Sequence, residues 1–163
     1  LTRIGLLSDT HNYMDENILH HLSVCDEVWH AGDWGTAAIS EIILRHVPIL
    51  RGVYGNIDGQ DIRSLYPEKL HFKCEDVTVF ITHIGGYPKK YAPGVKQEII
   101  NSKAGLFISG HSHILKVIFD PETNCLHMNP GAAGKQGWQQ VRTLIRFTID
   151  GKEIKDAEVI ELP

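Results

Sequence analysis

The sequence predicts an α/β fold: two β-sheets packed face to face, with helices outside, in a single domain over residues 1–163. Three observations lead there. Strand-like and helix-like patterns alternate through the first half, the order that builds a parallel sheet. The second half is nearly all strand, broken by tight turns that favour antiparallel pairing. The chain is 42% hydrophobic and 22% charged over 163 residues, so it can enclose a core without disulfide or metal staples.

Each element has a local reason. Arg3–Ser8 is a short apolar run and reads as the first strand. Asp15 can cap a short helix that carries Ile18, Leu19 and Leu22 on one side. Glu27–Ala31 is the second strand. Thr36–His46 is a helix with Ile39, Ile42 and Ile43 at core spacing, ended by Pro48. Ile49–Tyr54 is the third strand. Leu70–Cys74 and Val77–Thr82 form a hairpin that turns at Glu75-Asp76. Residues 85–94 hold three Gly and two Pro and read as a loop. A short helix over Val95–Ser102 leads to a strand at Leu106–Ser109. Ile114–Phe119, Asn124–Met128, Thr143–Ile149 and Ile154–Ile160 are the remaining strands, with turns at Asp120–Thr123 and Asp150-Gly151. No repeat, low-complexity segment or linker interrupts them.

Composition narrows the function. The formal net charge is -4 and no basic run stands out, so a dedicated nucleic-acid interface is not expected. Cys25, Cys74 and Cys125 are far apart and form no C-x-x-C pair, which suits buried thiols in a reducing cytoplasm. No charged segment followed by a long apolar one opens the sequence, and no apolar run is long enough to span a bilayer, so neither a signal peptide nor a membrane role is expected. Ten histidines are a high load for this length, and several come directly after strands.

The residues just beyond each predicted strand carry the chemistry. Asp9-Thr10-His11 comes after the first, Gly32-Asp33 after the second, and Gly55-Asn56-Ile57-Asp58 after the third. His83 succeeds Val77–Thr82, and Gly110-His111-Ser112-His113 succeeds Leu106–Ser109. Ligands bind at the carboxyl ends of strands in open α/β sheets, and the glycines let the backbone turn sharply there. Imidazoles mixed with carboxylates favour zinc, iron, manganese or nickel over calcium or magnesium. Seven ligands exceed one tetrahedral site and suit two ions that share a carboxylate, about 3.5–4 Å apart. Each piece alone is an ordinary turn; the ordered series is specific.

That series, D-x-H, G-D, G-N-x-D, H and G-H-x-H, resembles the calcineurin-like metallophosphoesterase superfamily over nearly the whole chain. The short length and the G-N-x-D form are most similar to its small bacterial and archaeal phosphodiesterase branch. The branch is related to a eukaryotic retromer subunit that kept the fold as a binding scaffold. The resemblance implies a four-layer αββα sandwich of two mixed β-sheets flanked by helices. It implies that Asp9, His11 and His113 hold one divalent metal ion, that Asp33 bridges, and that Asn56, His83 and His111 complete a second. Manganese is the first expectation for the metal, with zinc, nickel or iron as alternatives. The implied reaction is hydrolysis of a small phosphate ester, a phosphodiester before a monoester, by in-line attack of a metal-bridging hydroxide. The alternative is a non-catalytic interaction scaffold, and a nuclease is disfavoured by the short acidic chain. A homo-oligomer is expected from the same resemblance alone.

Ile57 departs from the family: many members carry a histidine there that assists the phosphate and leaving group. Asp58 and His30 are candidates for supporting the ligands, against plain turn and strand roles. Asn129-Pro130-Gly131 resembles a turn near the site in this branch. Lys89, Lys90 and Tyr91 could reach a substrate phosphate or simply be solvated. Trp34 could line the cleft or pack beneath it. His20, His21, His46, His71 and His127 lack metal spacing and are expected on the surface or in the core.

Overall fold

The computed structural model describes all 163 residues. Its elements, in chain order, are β1 (Thr2–Leu7), α1 (Glu16–Leu22), β2 (Glu27–His30), α2 (Ala37–Leu44), β3 (Ile49–Gly52), α3 (Gln60–Arg63), β4 (Lys69–Cys74) and β5 (Val77–Thr82). Next come β6 (Gly86–Tyr87), β7 (Lys90–Tyr91), α4 (Val95–Ser102), β8 (Leu106–Ile108), β9 (Lys116–Asp120), β10 (Cys125–Asn129), β11 (Arg142–Asp150) and β12 (Glu153–Leu162). One five-stranded sheet has the order β12-β11-β1-β2-β3, the other β4-β5-β8-β10-β9.

The expected sandwich is present, with two mixed sheets. In the first, β1, β2 and β3 are parallel, and β11 and β12 add antiparallel strands beside β1. The second differs from the sequence expectation. Its centre, β5-β8-β10, is parallel, and only the outer strands β4 and β9 are antiparallel. The helix α4 carries the chain back between β5 and β8, as a parallel crossover requires. The β9–β10 hairpin then sets β10 against β8 and leaves β9 at the edge.

Side-chain alternation fills the layers. Ile4 and Leu6 of β1 join Trp29, Val79, Ile81, Leu106, Ile108, Phe147 and others in a dry core between the sheets. Leu7 faces the opposite way, toward Ile18, Leu22, Ile39, Ile43 and Ile62 of the outer helices. On the far side α4 presses Val95 and Ile99 onto Phe80 and Phe107. Asp15 caps α1 as expected, accepting the Ile18 N–H at 2.9 Å. Two small elements are not legible in the sequence. A four-residue helix such as α3 is too short for helical periodicity to register. The Gly-rich loop also folds part of itself into a two-stranded ribbon, β6–β7.

On the helix side of the second sheet, a cross-strand aromatic row runs His71–Phe80–Phe107–His127, with ring centroids 4.4, 5.4 and 5.1 Å apart. Burial pushes the imidazole of His127 down to about 4 and that of His30 down to about 3. Both values lie below the ordinary 6.5, so the unfolded chain takes up these protons first. The stability each neutral imidazole contributes is therefore complete above about pH 6.5 and is withdrawn as pH falls toward the folded value. Between pH 7.5 and pH 5.5, His127 should withdraw about 1 kcal/mol. Urea unfolding checks this: His127→Phe should lose less stability than wild type over that interval, by about that amount. Equal losses would show that His127 does not titrate as its burial implies.

Candidate metal centre

Five parallel strands end at the same side of the sandwich. The turns after β1, β2, β3, β5 and β8 deliver Asp9 and His11, Asp33, Asn56, His83, and His111 with His113. Five of these seven sit in left-handed backbone: Asp9 at φ 55°, His11 at 45°, Asp33 at 60°, His111 at 69° and His113 at 61°. That region is strained for side chains other than glycine, and it persists where the surroundings over-determine it. Gly32, at φ 104°, makes the close approach to His83 feasible; a Cβ there would lie 2.5 Å from the His83 Nδ1. Gly55 does the same for Asp33, whose Oδ1 an added Cβ would strike.

The side chains converge in two adjacent groups, Asp9–His11–His113 and Asp33–His83–His111. Within each group the metal-competent atoms lie within 4.8 Å of one another. The Asp33 Oδ2 is 3.2 Å from His83 Nε2 and 3.4 Å from His11 Nε2, so this carboxylate faces both groups. The Asp9 Oδ1 lies 3.2 Å from His113 Nε2 and 3.8 Å from both His11 and His83 Nε2. Asn56 Oδ1 meets His111 Nδ1 at 3.0 Å. All seven residues singled out in the sequence come together.

Whether this set fits a cation can be judged from its unsatisfied atoms. Asp9 Oδ1, His11 Nε2 and His83 Nε2 are buried and have no hydrogen-bond partner. Such atoms are rare and expensive in native interiors. Here three of them face one small space, and the donor set of imidazole, carboxylate and amide suits divalent transition metals. The residues fit.

Electrostatics agree. Burial alone would raise the Asp9 carboxyl, but the imidazoles of His11, His113 and His83 and the Ser8 hydroxyl outweigh it and hold it far below the carboxylate range. Asp33 is lowered too: burial opposes, and His83 and the Ile57 N–H overcome it. Burial would lower His83, but the carboxylates of Asp33 and Asp9 raise it. His113 is raised chiefly by Asp9, against burial. Without cations, the carboxylates favour the protonated form of both imidazoles.

The supporting residues fix orientation. His83 Nδ1 is 2.7 Å from the Ala31 carbonyl, and His113 Nδ1 is 2.9 Å from Gln139 Oε1. An N–H donated there leaves each Nε2 lone pair aimed at the acids. Ser8 Oγ donates to Asp9 Oδ2 at 2.6 Å, and the His111 N–H reaches the same oxygen at 3.1 Å. Asn129 donates from Nδ2 to the Gly110 carbonyl and the Ser112 hydroxyl, so the Asn-Pro-Gly turn braces the G-H-x-H loop. Gln139 and Ser8 are not singled out by the sequence; Gln139 sits in a polar loop with no pattern, and Ser8 is a common strand-end residue.

Asp58 does something other than orient Asn56 or a histidine. Its Oδ2 accepts the N–H groups of Asp33, Trp34 and Gly55, and its Oδ1 accepts that of Gly35. One buried carboxylate thus binds the turns after β2 and β3 together. His30 is fully buried, accepts the Gly32 N–H on Nδ1, and meets the Thr10 hydroxyl with Nε2 at 3.1 Å. It joins the turns after β1 and β2 without facing the ligand atoms. Trp34 stacks between His30 and Tyr66 at 3.9 and 4.4 Å, so it packs beneath the centre.

Two hollows flank the centre. One of about 450 Å³ is lined by Tyr54, Asn56, Arg63, Lys69, His83 and Ile84. The other, about 230 Å³, includes Tyr87, Lys90, His111 and Ser112. Of the three loop residues weighed for substrate contact, only Lys90 reaches a hollow beside the centre. The Tyr91 phenol is bound to Asp120 at 2.6 Å, and Lys89 lines a separate hollow along α4.

A two-sheet α/β sandwich with a cluster of candidate metal ligands at its strand ends is the class of protein that the fold and the site define. The chain belongs to the calcineurin-like phosphoesterase superfamily, whose domain model matches residues 2–152. No curated protein sequence matches the chain. Among solved structures, an archaeal phosphodiesterase is similar at 19% identity and TM-score 0.79, covering 98% of this chain and 99% of its own. Vps29 from Entamoeba histolytica, complexed with zinc, is similar at 14% identity and TM-score 0.76, with 98% of each chain covered. A predicted phosphoesterase from Streptococcus pneumoniae is 18% identical with TM-score 0.66, covering 99% of this chain and 98% of its own. At these identities the likeness is one of fold.

Asp58→Ala leaves four backbone N–H groups without their acceptor. It should lower unfolding free energy by at least about 3 kcal/mol in denaturant titration, since each hydrogen bond to a charged group is worth about 1.5–3 kcal/mol and relaxation with water entry recovers only part of the four. A loss within error would show that the turns hold without it.

Proposed function

We propose that this chain is a dinuclear metal-dependent phosphoesterase that hydrolyses phosphodiesters in preference to monoesters. Asp9, His11 and His113 hold one divalent cation, Asn56, His83 and His111 hold the other, and Asp33 is shared. The observation that carries the reading is the trio of buried, partnerless donor atoms on Asp9, His11 and His83 facing one space. The archaeal phosphodiesterase of the same fold supports it. Manganese is the first choice of metal, with zinc, nickel or iron as alternatives.

Bound cations would supply an acidified water as nucleophile for in-line attack and would neutralise charge on the phosphate oxygens. The rest falls to the chain. Asp9 and Asp33 give the pit its negative charge, and the fixed tautomers of His83 and His113 present lone pairs rather than protons. Metal must compete with protons for these two imidazoles, because the facing carboxylates raise both above their ordinary value. Arg63 on one side and Lys90 on the other are the cations that line the flanking hollows beside the centre, Lys69 being paired with Glu98.

Ile57 lies at the rim, 46% exposed. Its backbone N–H donates to Asp33 Oδ1 at 3.1 Å, while its side chain offers no donor. With no acid there to protonate a departing alkoxide, esters with good leaving groups and diesters are favoured.

The second reading is a protein-binding scaffold, supported by the likeness to Vps29. This chain keeps all seven expected donors, which supports the enzyme; because that Vps29 structure holds zinc, activity rather than metal binding alone separates the two readings.

Activity and metal binding test the reading together. With added manganese, purified protein should cleave bis-p-nitrophenyl phosphate faster than p-nitrophenyl phosphate. Chelation should abolish activity reversibly, and His83→Ala should lower it by roughly 100-fold or more. Because protons must leave, metal affinity should fall about tenfold or more between pH 8 and pH 6. Folded protein that binds no cation and is inactive with manganese, zinc or nickel would favour the scaffold.

Ile57→His should raise kcat for an alkyl phosphomonoester while leaving the p-nitrophenyl diester nearly unchanged. The exposed position makes the substitution structurally tolerable. No gain on the alkyl ester would detach substrate preference from this position.

A further inference from the structure

We propose that the chain forms a two-fold dimer by antiparallel pairing of β9 with β9 of a second copy, joining the two second sheets into one continuous ten-stranded sheet.

The sandwich has four sheet edges, β3, β12, β4 and β9. Exposed edges invite pairing with another chain, and proteins block them with charge, bulges or short length. The β4 edge carries Lys69, His71 and Lys73, the first two tied to Glu98. The β12 edge carries Glu153, Lys155, Asp156, Glu158 and Glu161, with a register shift opposite Arg146/Thr148 and Asp156 in left-handed backbone. The β3 edge has only four residues. The middle of the β9 edge has none of these devices. Along it Val117, Ile118 and Phe119 are 45%, 47% and 53% exposed, and Ile114 and Leu115 continue the apolar surface.

The sequence of β9, Lys-Val-Ile-Phe-Asp, is complementary to itself when run antiparallel about Ile118. Val117 then opposes Phe119 of the second copy and Ile118 opposes itself, while Asp120 stays buried against Tyr91 and Lys116 lies over the Tyr87 ring. A β-branched residue opposite an aromatic one is a favourable cross-strand combination. A one-residue move of the axis sets Lys116 or Asp120 against isoleucine, and parallel pairing sets lysine against lysine. One antiparallel register alone sets the three exposed apolar residues, Val117, Ile118 and Phe119, against one another.

The row on the helix side of the sheet points to the same place. His71, Phe80, Phe107 and His127 are cross-strand neighbours, and the next neighbour of His127 is Ile118. The row ends on an isoleucine half open to solvent. The Ile118 of a second copy would cover it, as each earlier member is covered by the next. A strand fits as partner because it can pair with the outer row of β9 backbone N–H and C=O groups, which otherwise face water and which a helix cannot match.

The test is sedimentation equilibrium of the full chain, with Ile118→Lys and Ile118→Cys beside it. Wild type should be a dimer at micromolar concentration. Ile118→Lys should be monomeric with unchanged far-ultraviolet circular dichroism. Under mild oxidation Ile118→Cys should form a disulfide-linked dimer, since residues facing each other across the axis are within disulfide reach. The native cysteines are buried and should leave wild type uncrosslinked. A monomeric wild type overturns the proposal and leaves the edge to a different partner. So does a dimer that survives Ile118→Lys with Ile118→Cys uncrosslinked.

Discussion

Two buried carboxylates a few ångströms apart are the constraint around which this molecule is arranged. Asp9 and Asp33 are removed from water at the bottom of one pit, where like charges repel strongly and hydration cannot screen them. Something positive must share the space. In the free protein the imidazoles of His83 and His113 take that role, held toward their protonated forms by the acids they face. Their Nδ1 atoms are engaged elsewhere, so the Nε2 atoms are committed to the pit whether they carry protons or lone pairs.

The scaffold exists to hold that arrangement against its own strain. Parallel strands bring five turns to one side, and left-handed backbone in three of them swings the donors inward. Such turns would relax if left alone. Asp58 fastens the second turn to the third through four N–H groups, His30 fastens the first to the second, and Asn129 fastens the G-H-x-H loop to the end of β10. These residues act through backbone groups, which explains why the centre depends on side chains that never point into it.

The sequence carried much of this because of a local coincidence. A strand that ends in a metal-competent residue beside glycine can be seen in one short window, and the pattern recurs in order at the strand ends. The layer structure was equally legible from the alternation of apolar residues, as in Ile4, Leu6 and Leu7 dividing between two cores. Features that depend on distance along the chain were not legible. The parallel centre of the second sheet arises because β10 inserts between β8 and β9, and no window of sequence records that order. Gln139 touches His113 across a loop whose composition is merely polar. Asp58 reads as a turn residue, and its four acceptor contacts exist only once two separate turns have met.

If these donors form a paired-cation site, crystals soaked in manganese will reveal it by anomalous diffraction. Two peaks about 3.5–4 Å apart are expected, one against Asp9, His11 and His113, the other against Asn56, His83 and His111, with Asp33 touching both. A folded crystal with no peak in the pit, or with manganese only at other acidic surfaces, would contradict it.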